Sequence, residues 1–220
     1  IGTQTGGSVI RPASFCGIAG FKTSVGLLSV EGLLPFAPSF DTVGFFTTTG
    51  ADMLALWQAL GHSTHRVEEF TIGVPNPLPD VDPVMRKTFE SAISRLRRAG
   101  FSIQSTDIAA MLGRLHAAQR LVGSYEAARL HEARYKEPGA RRGLFADVIR
   151  DGLQIPREKY DEATAYIAGC KREIAKLFRT TPIILTPAAP GPALLGLGST
   201  GDSRMSTPWS ALGVPAMTIP

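Results

Sequence analysis

Apolar positions along this 220-residue chain recur at two alternating periods. Steps of three and four residues mark one face of a helix, and short runs of β-branched and aromatic residues mark strands. The pattern predicts a buried strand over Phe15–Phe21 and an irregular, Gly/Pro-rich connection over Lys22–Ser39. A strand follows at Val43–Thr48, then a short amphipathic helix at Gly50–Leu60. After a strand at Thr71–Pro75, Asp82 is placed to cap a helix with Pro83 in its first turn. That helix carries Met85, Phe89, Ala92, Ile93 and Leu96 on one face, and Gly100 closes it before a strand at Phe101–Gln104. Ile108–Lys136 presents Met111, Leu115, Ala118, Val122 and Tyr125 as one stripe. Pro138-Gly139 breaks the chain, and Leu144–Leu153 forms a shorter helix. Arg157–Arg179 repeats the stripe with Ala163, Ile167, Cys170, Ile174 and Leu177. A strand at Ile183–Thr186, a short helix at Pro208–Leu212 and a strand at Ala216–Ile219 complete the series.

Strands alternating with helices point to an α/β fold with a mixed, largely parallel sheet covered by helices. In such sheets ligands settle in loops at strand ends. The opening glycine stretch, the Ser39–Asp41 turn and the Gly/Pro loop running to Arg204 are therefore expected to line one cleft. The charged helical section, residues 108–179, is expected to act as a cap that shapes substrate choice.

Composition narrows the classes. Hydrophobic residues make up 44% and charged residues 19%, ordinary for a packed fold, and the length allows a sizeable core. The net charge of +4 is not gathered into a block interleaved with aromatics, so no nucleic-acid role follows. The densest cationic group, Arg95, Arg97 and Arg98, reads as a solvated helix face. Two cysteines without C-x-x-C spacing favour a reduced, cytoplasmic setting. Cys16 lies in an apolar run and is expected to pack as a small hydrophobe; Cys170 falls on a buried helical stripe. The uncharged stretch from Thr180 to Gly201 is interrupted by Pro182, Pro187, Pro190 and Pro192, so it is a loop and not a membrane span.

The chemistry concentrates at the start. Gly2-Thr3-Gln4-Thr5-Gly6-Gly7-Ser8-Val9-Ile10-Arg11 holds three glycines, three hydroxyl residues and one arginine. Glycine permits positive φ and close approach to the backbone, and successive N–H groups in such a turn can receive an anion. Ser8 then stands where a nucleophile's oxyanion would be held by those N–H groups. Arg11 offers a planar fork for a carboxylate. Ser8-Val9 after Gly7 excludes a Walker A loop, G-x-G-x-x-G is unmatched, and Ile10 breaks the G-x-S-x-G elbow. Taken alone, the stretch is equally a plain glycine turn.

Three blocks in order decide between those readings. GTQTGGSVIRPASFCGIAGFK from Gly2 to Lys22 resembles the serine- and glycine-rich motif of the amidase signature family. S-F-D-T-V-G at Ser39–Gly44 is similar to its next block, and Thr200–Pro220, T-G-D…P-W-S-A-L-G-V-P-A-M-T-I-P, to a later one. The resemblance implies hydrolysis of a small carboxamide, or transfer of its nitrogen, through a serine, a bridging serine and a lysine. It assigns Ser8 as the nucleophile and the backbone of Thr5, Gly6, Gly7 and Ser8 as the oxyanion hole. Arg11, three residues after Ser8, matches the malonamidase-like spacing, whose arginine binds a substrate carboxylate; a loop-tying arginine is the other reading. The lysine and bridging serine lie upstream of the glycine motif in that family, so residues 1–220 read as the C-terminal part of one amidase domain, inactive alone. The resemblance calls for no metal and no cofactor; with no nucleic acid and no membrane expected from charge and patterning, the partner is a small-molecule amide, and a homodimer is left open. The alternatives are a non-catalytic binding protein of the same fold and a tRNA-dependent amidotransferase subunit.

Other candidates carry less. His62 and His65 sit in a polar turn with no convincing third ligand and read as surface histidines. A triad through His116 or His131 has no support in spacing. Asp41 and Asp202 each read as a turn-closing carboxylate or as a general acid.

Overall fold

The computed structural model describes residues 1–65, 67, 69–137 and 143–220; the predicted Pro138-Gly139 break lies outside them. Two sheets organise the chain. Strands β1 (Gly2–Gln4), β2 (Ala19–Lys22), β3 (Thr42–Thr47) and β7 (Ala216–Thr218) form a four-stranded antiparallel sheet in the order β1-β3-β2-β7. Gln4 pairs with Thr42, Lys22 with Gly44, and Phe21 with Met217. Strands β4 (Thr71–Pro75), β5 (Ser102–Thr106) and β6 (Ile183–Ile184) form a parallel sheet in the order β5-β4-β6. The fold is thus α/β with mixed pairing and helical cover. Its parallel part is set where helices intervene, because parallel neighbours need a crossover.

The helices start for local reasons. In α2 (Gly50–Ala59) Thr49 and Asp52 form a reciprocal capping box. In α3 (Pro83–Arg98) the Asp82 carboxylate accepts from Val84 N–H at 2.8 Å, with Pro83 in the first turn as predicted. Arg95, Arg97 and Arg98 lie in the last turn of that helix, where cations suit its negative pole. Helices α4 (Ala109–Tyr135), α5 (Leu144–Leu153) and α6 (Arg157–Leu177) make up the helical section. Leu115, Ala118 and Val122 of α4 share a core with Ala163, Ile167, Cys170 and Ile174 of α6. Trp209 and Leu212 of α7 (Thr207–Leu212) complete that core. Cys170 is buried as the stripe predicts. A smaller core joins Ala19 and Phe45 to Met53 of α2.

One segment departs from expectation. Phe15 and Cys16 belong to helix α1 (Ile10–Cys16), and only Ala19–Lys22 is strand. Gly17 explains the change: at φ 63° it ends the helix in the left-handed conformation, and its N–H bonds back to Ala13 and Ser14 carbonyls. The apolar run is shared between two elements, which leaves Cys16 exposed at the helix end and not packed. Strand β1, inside the glycine stretch itself, has no counterpart in the hydrophobic pattern.

Candidate active site

The glycine turn is held from beneath by its carbonyls. Gln4 O accepts from Thr42 Oγ1 at 2.9 Å, Thr5 O from Gln119 Nε2 at 2.9 Å, Gly6 O from Ser210 Oγ at 2.7 Å, and Gly7 O from Arg11 N–H at 3.0 Å. The fully buried Gln4 side chain does the rest. Its Oε1 receives Val9 N–H at 2.8 Å and Ile10 N–H at 3.0 Å, and its Nε2 donates to Ser210 Oγ at 3.0 Å. Among the described residues, the N–H groups of Gly6, Gly7 and Ser8 meet no acceptor, and Ser8 stands exposed with its hydroxyl unbonded. With its acceptors tied down and its donors free, such a turn can take up an anionic oxygen.

The two glycines are needed for close packing. Neither takes a positive φ. A Cβ on Gly7 would stand 2.9 Å from Ser203 Cβ and 3.2 Å from Ser206 Cβ, and one on Gly6 would lie 3.2 Å from the Thr207 methyl. The segment before and into α7 therefore presses directly on the turn. Thr207 is itself held by Nδ1 of His116 on α4. Burial lowers the pKa of His116 and Asp202 raises it, while Arg120 and Arg204 lower it further.

Asp41 closes a turn, the first of its two readings. One carboxylate oxygen accepts Phe36 N–H at 2.8 Å and Ala37 N–H at 3.0 Å, and the other accepts the Thr5 hydroxyl, tying that turn to the glycines. Asp202 likewise accepts Arg204 N–H at 2.8 Å and pairs with the Arg204 guanidinium at 2.9 Å. Ser39 bonds Glu126 of α4 through both its N–H and its hydroxyl. His131 bonds Pro35 O and His62 stacks on Trp57 at 3.9 Å, so neither ring engages Ser8.

Arg11 is buried, yet no carboxylate pairs with it among the described residues. Its Nη2 donates to Thr200 Oγ1 at 3.1 Å, and its Nε is buried with no partner. Desolvation lowers its pKa, partly offset by the charge of Asp202. A guanidinium that binds only a neutral hydroxyl retains donors for an incoming anion. The second buried cation, Lys22, has its ammonium on Thr23 O at 2.7 Å, and burial lowers its pKa to about 8.

The glycine stretch, Asp41 and the Thr200–Thr207 segment thus come together, as loops at strand ends are expected to do. Gln4, Gln119, Ser210 and His116 escape sequence reasoning as supports of the site, since glutamines and a serine in helical or strand runs carry no motif. No helix among the described residues is long and apolar enough to cross a membrane.

The chain is similar to known proteins along its whole length. The Amidase family model matches residues 1–220. The 2-amino-5-chloromuconic acid deaminase of Comamonas testosteroni is 30% identical over 220 residues, covering 90% of this chain and 46% of that protein. The glutamyl-tRNA(Gln) amidotransferase subunit from Exiguobacterium sp. is 27% identical over 273 residues, covering 100% of this chain and 56% of its own length. A solved structure described as an amidase superposes with a TM-score of 0.89 at 29% identity, over 100% of this chain and 54% of its own. The chain spans about half the length of the relatives it matches.

Proposed function

Because the chain belongs to the amidase family, we propose that Ser8 is the nucleophile of a carboxamide hydrolase. Its Oγ attacks the amide carbonyl carbon, and the oxyanion is received by the N–H groups of the Thr5–Ser8 turn. The C–N bond then breaks with a proton delivered to the leaving ammonia or amine, and water hydrolyses the acyl-serine to the acid. The observation that carries this reading is the exposed Ser8 hydroxyl beside free N–H groups on a turn whose Thr5, Gly6 and Gly7 carbonyls are bonded.

A serine hydroxyl is weak at its own pKa and needs a base. No described side chain hydrogen-bonds Ser8, so the base is assigned to the lysine and bridging serine that the family resemblance puts upstream. Activity is therefore expected of a protein that carries those groups together with residues 1–220. Arg11 is assigned to a carboxylate on the substrate, supported by its unpartnered Nε and by a relative named for deaminating an acid. The helical section from 108 to 179 is assigned to substrate choice, and exchange of that section between relatives tests it through a shift in amide preference.

In the active protein Ser8→Ala abolishes hydrolysis and fluorophosphonate labelling with the fold intact by circular dichroism. Continued amide turnover by the alanine variant removes the assignment. The amidotransferase reading, favoured by the relative named for glutamyl-tRNA(Gln), requires co-purifying partners and glutamine-dependent transfer in place of hydrolysis.

A further inference from the structure

Helix α4 reaches the glycine turn by two routes. The first is direct: Gln119 donates to Thr5 O at 2.9 Å. The second starts at Glu126, about two turns further along the same helix face. Its half-buried carboxylate accepts Ser39 N–H at 3.0 Å and the Ser39 hydroxyl at 2.5 Å, and Tyr160 of α6 donates to it at 3.0 Å. Two residues past Ser39, Asp41 clasps the Phe36 and Ala37 N–H groups with one oxygen and receives the Thr5 hydroxyl on the other. Thr5 is thus held from α4 at both ends, its carbonyl by Gln119 and its hydroxyl through the Ser39–Asp41 turn that Glu126 fixes. Phe40, between Ser39 and Asp41, is 2% exposed and belongs to the core of Leu115, Val122 and Ile167.

We infer that Glu126 is a positioning residue for the reaction at Ser8: by fixing the Ser39–Asp41 turn it sets the Thr5 hydroxyl, and with it the direction of the N–H groups that receive the oxyanion. This rests on the reading of Thr5–Ser8 as the oxyanion turn. Glu126 bonds Ser39 and Tyr160 and not Ser8, so it acts through other residues. An oxyanion donor is effective only when its N–H points to where the charge develops, and misplacement by about 1 Å costs on the order of a hundredfold in rate. Bonds to an ionised carboxylate are shorter and stronger than bonds to a neutral acceptor, so Glu126 holds Ser39 more tightly than an uncharged side chain would. Because Tyr160 lies on α6, this carboxylate is also where both long helices of the 108–179 section join the turn. A change in that section therefore alters the rate through Glu126 without touching the substrate.

The test is Glu126→Gln in the active protein. Glutamine has the same shape, but when its oxygen serves the Ser39 and Tyr160 hydroxyls its amide nitrogen meets Ser39 N–H donor against donor. The buried Phe40 keeps the turn seated, and circular dichroism checks the fold. The inference expects kcat to fall about ten- to hundredfold with KM nearly unchanged. Thr5→Val severs the last link and spares the backbone, so it gives a similar loss, and adding Glu126→Gln to it costs nothing further. Ser39→Ala, at an exposed position, lowers kcat in the same direction and carries the test should glutamine unsettle the fold. Glu132→Gln makes the same charge change further along α4, in an exposed pair with Lys136, and leaves kcat alone. In 15N-labelled protein the assigned amide signals of Gly6 and Gly7 move in Glu126→Gln and not in Glu132→Gln, whatever attacks the amide. Unchanged kcat, a loss carried by KM, independent losses from Glu126→Gln and Thr5→Val that multiply, an equal loss in Glu132→Gln, or glycine signals that stay in place overturns it. Failure of the Ser8 assignment shows instead as fluorophosphonate labelling that survives Ser8→Ala, and leaves the glycine shifts untouched.

Discussion

Replacing Lys22 by methionine is expected to stabilise the fold at neutral pH, although it deletes a hydrogen bond. Lys22 is fully buried, and its ammonium is held by Thr23 O. Burial lowers its pKa from 10.5 to about 8. The difference corresponds to roughly 3 kcal/mol by which the folded state disfavours the charged form. The sign follows from proton counting. Between pH 8 and 10.5 the unfolded chain holds a proton that the folded chain has released, so stability rises with pH across that window. Below pH 8 both states are protonated and the full penalty stands. Methionine has similar length and no charge. It forfeits the charged bond to Thr23, about 1.5–3 kcal/mol, which leaves a gain of about 1 kcal/mol at neutral pH. Near pH 10 most of the penalty has gone from the parent, and the gain shrinks to nothing or reverses. Urea unfolding followed by the fluorescence of Trp57 and Trp209 at about pH 7 and about pH 10 gives the difference between the two proteins. Other groups titrate in both and cancel. A stability difference that is the same at both pH values, or a variant that gains on the parent as the pH is raised, refutes the reasoning.

Three further outcomes follow from other contacts. Gln4→Leu strands Val9 N–H and Ile10 N–H and unties Ser210, and should cost about 2–4 kcal/mol in chemical denaturation. Gly20→Ala would place a Cβ 2.5 Å from Ala13 Cβ, so overpacking between β2 and α1 should cost about 1–3 kcal/mol and lower the thermal midpoint. In the active protein Arg11→Ala should raise KM for carboxylate-bearing amides at least about tenfold, as expected for loss of about 1.5–3 kcal/mol from a charged hydrogen bond, with little effect on neutral amides. Equal effects on both classes make Arg11 a loop tie.

Elements whose signals are local were legible in the sequence. Asp82-Pro83 announces α3 because a cap and a proline act within one turn, and Thr71–Pro75 is found where its β-branched residues place it. The run from Phe15 to Phe21 misleads because helix end and strand start are both apolar there, and only the left-handed turn at Gly17 divides them. The turn carrying Ser8 is visible as a motif, but its supports are not. Gln119 reaches Thr5 across 114 residues and Ser210 reaches Gly6 across 204, and no periodicity encodes such pairs. Of the two uses that glycine offers the sequence reading, positive φ and close approach, Gly6 and Gly7 take only the second, and the residues they admit, Ser203, Ser206 and Thr207, lie about 200 positions away.

The bond from Gln4 to Ser210 joins positions 206 apart in the chain. Ribosomes make Gln4 well before Ser210, so the bend that carries Ser8 has no floor while everything between them is being synthesised. If Ser8 is the nucleophile proposed above, every partial product that stops short of α7 lacks this support beneath its hydroxyl, and only a polypeptide grown that far can set it.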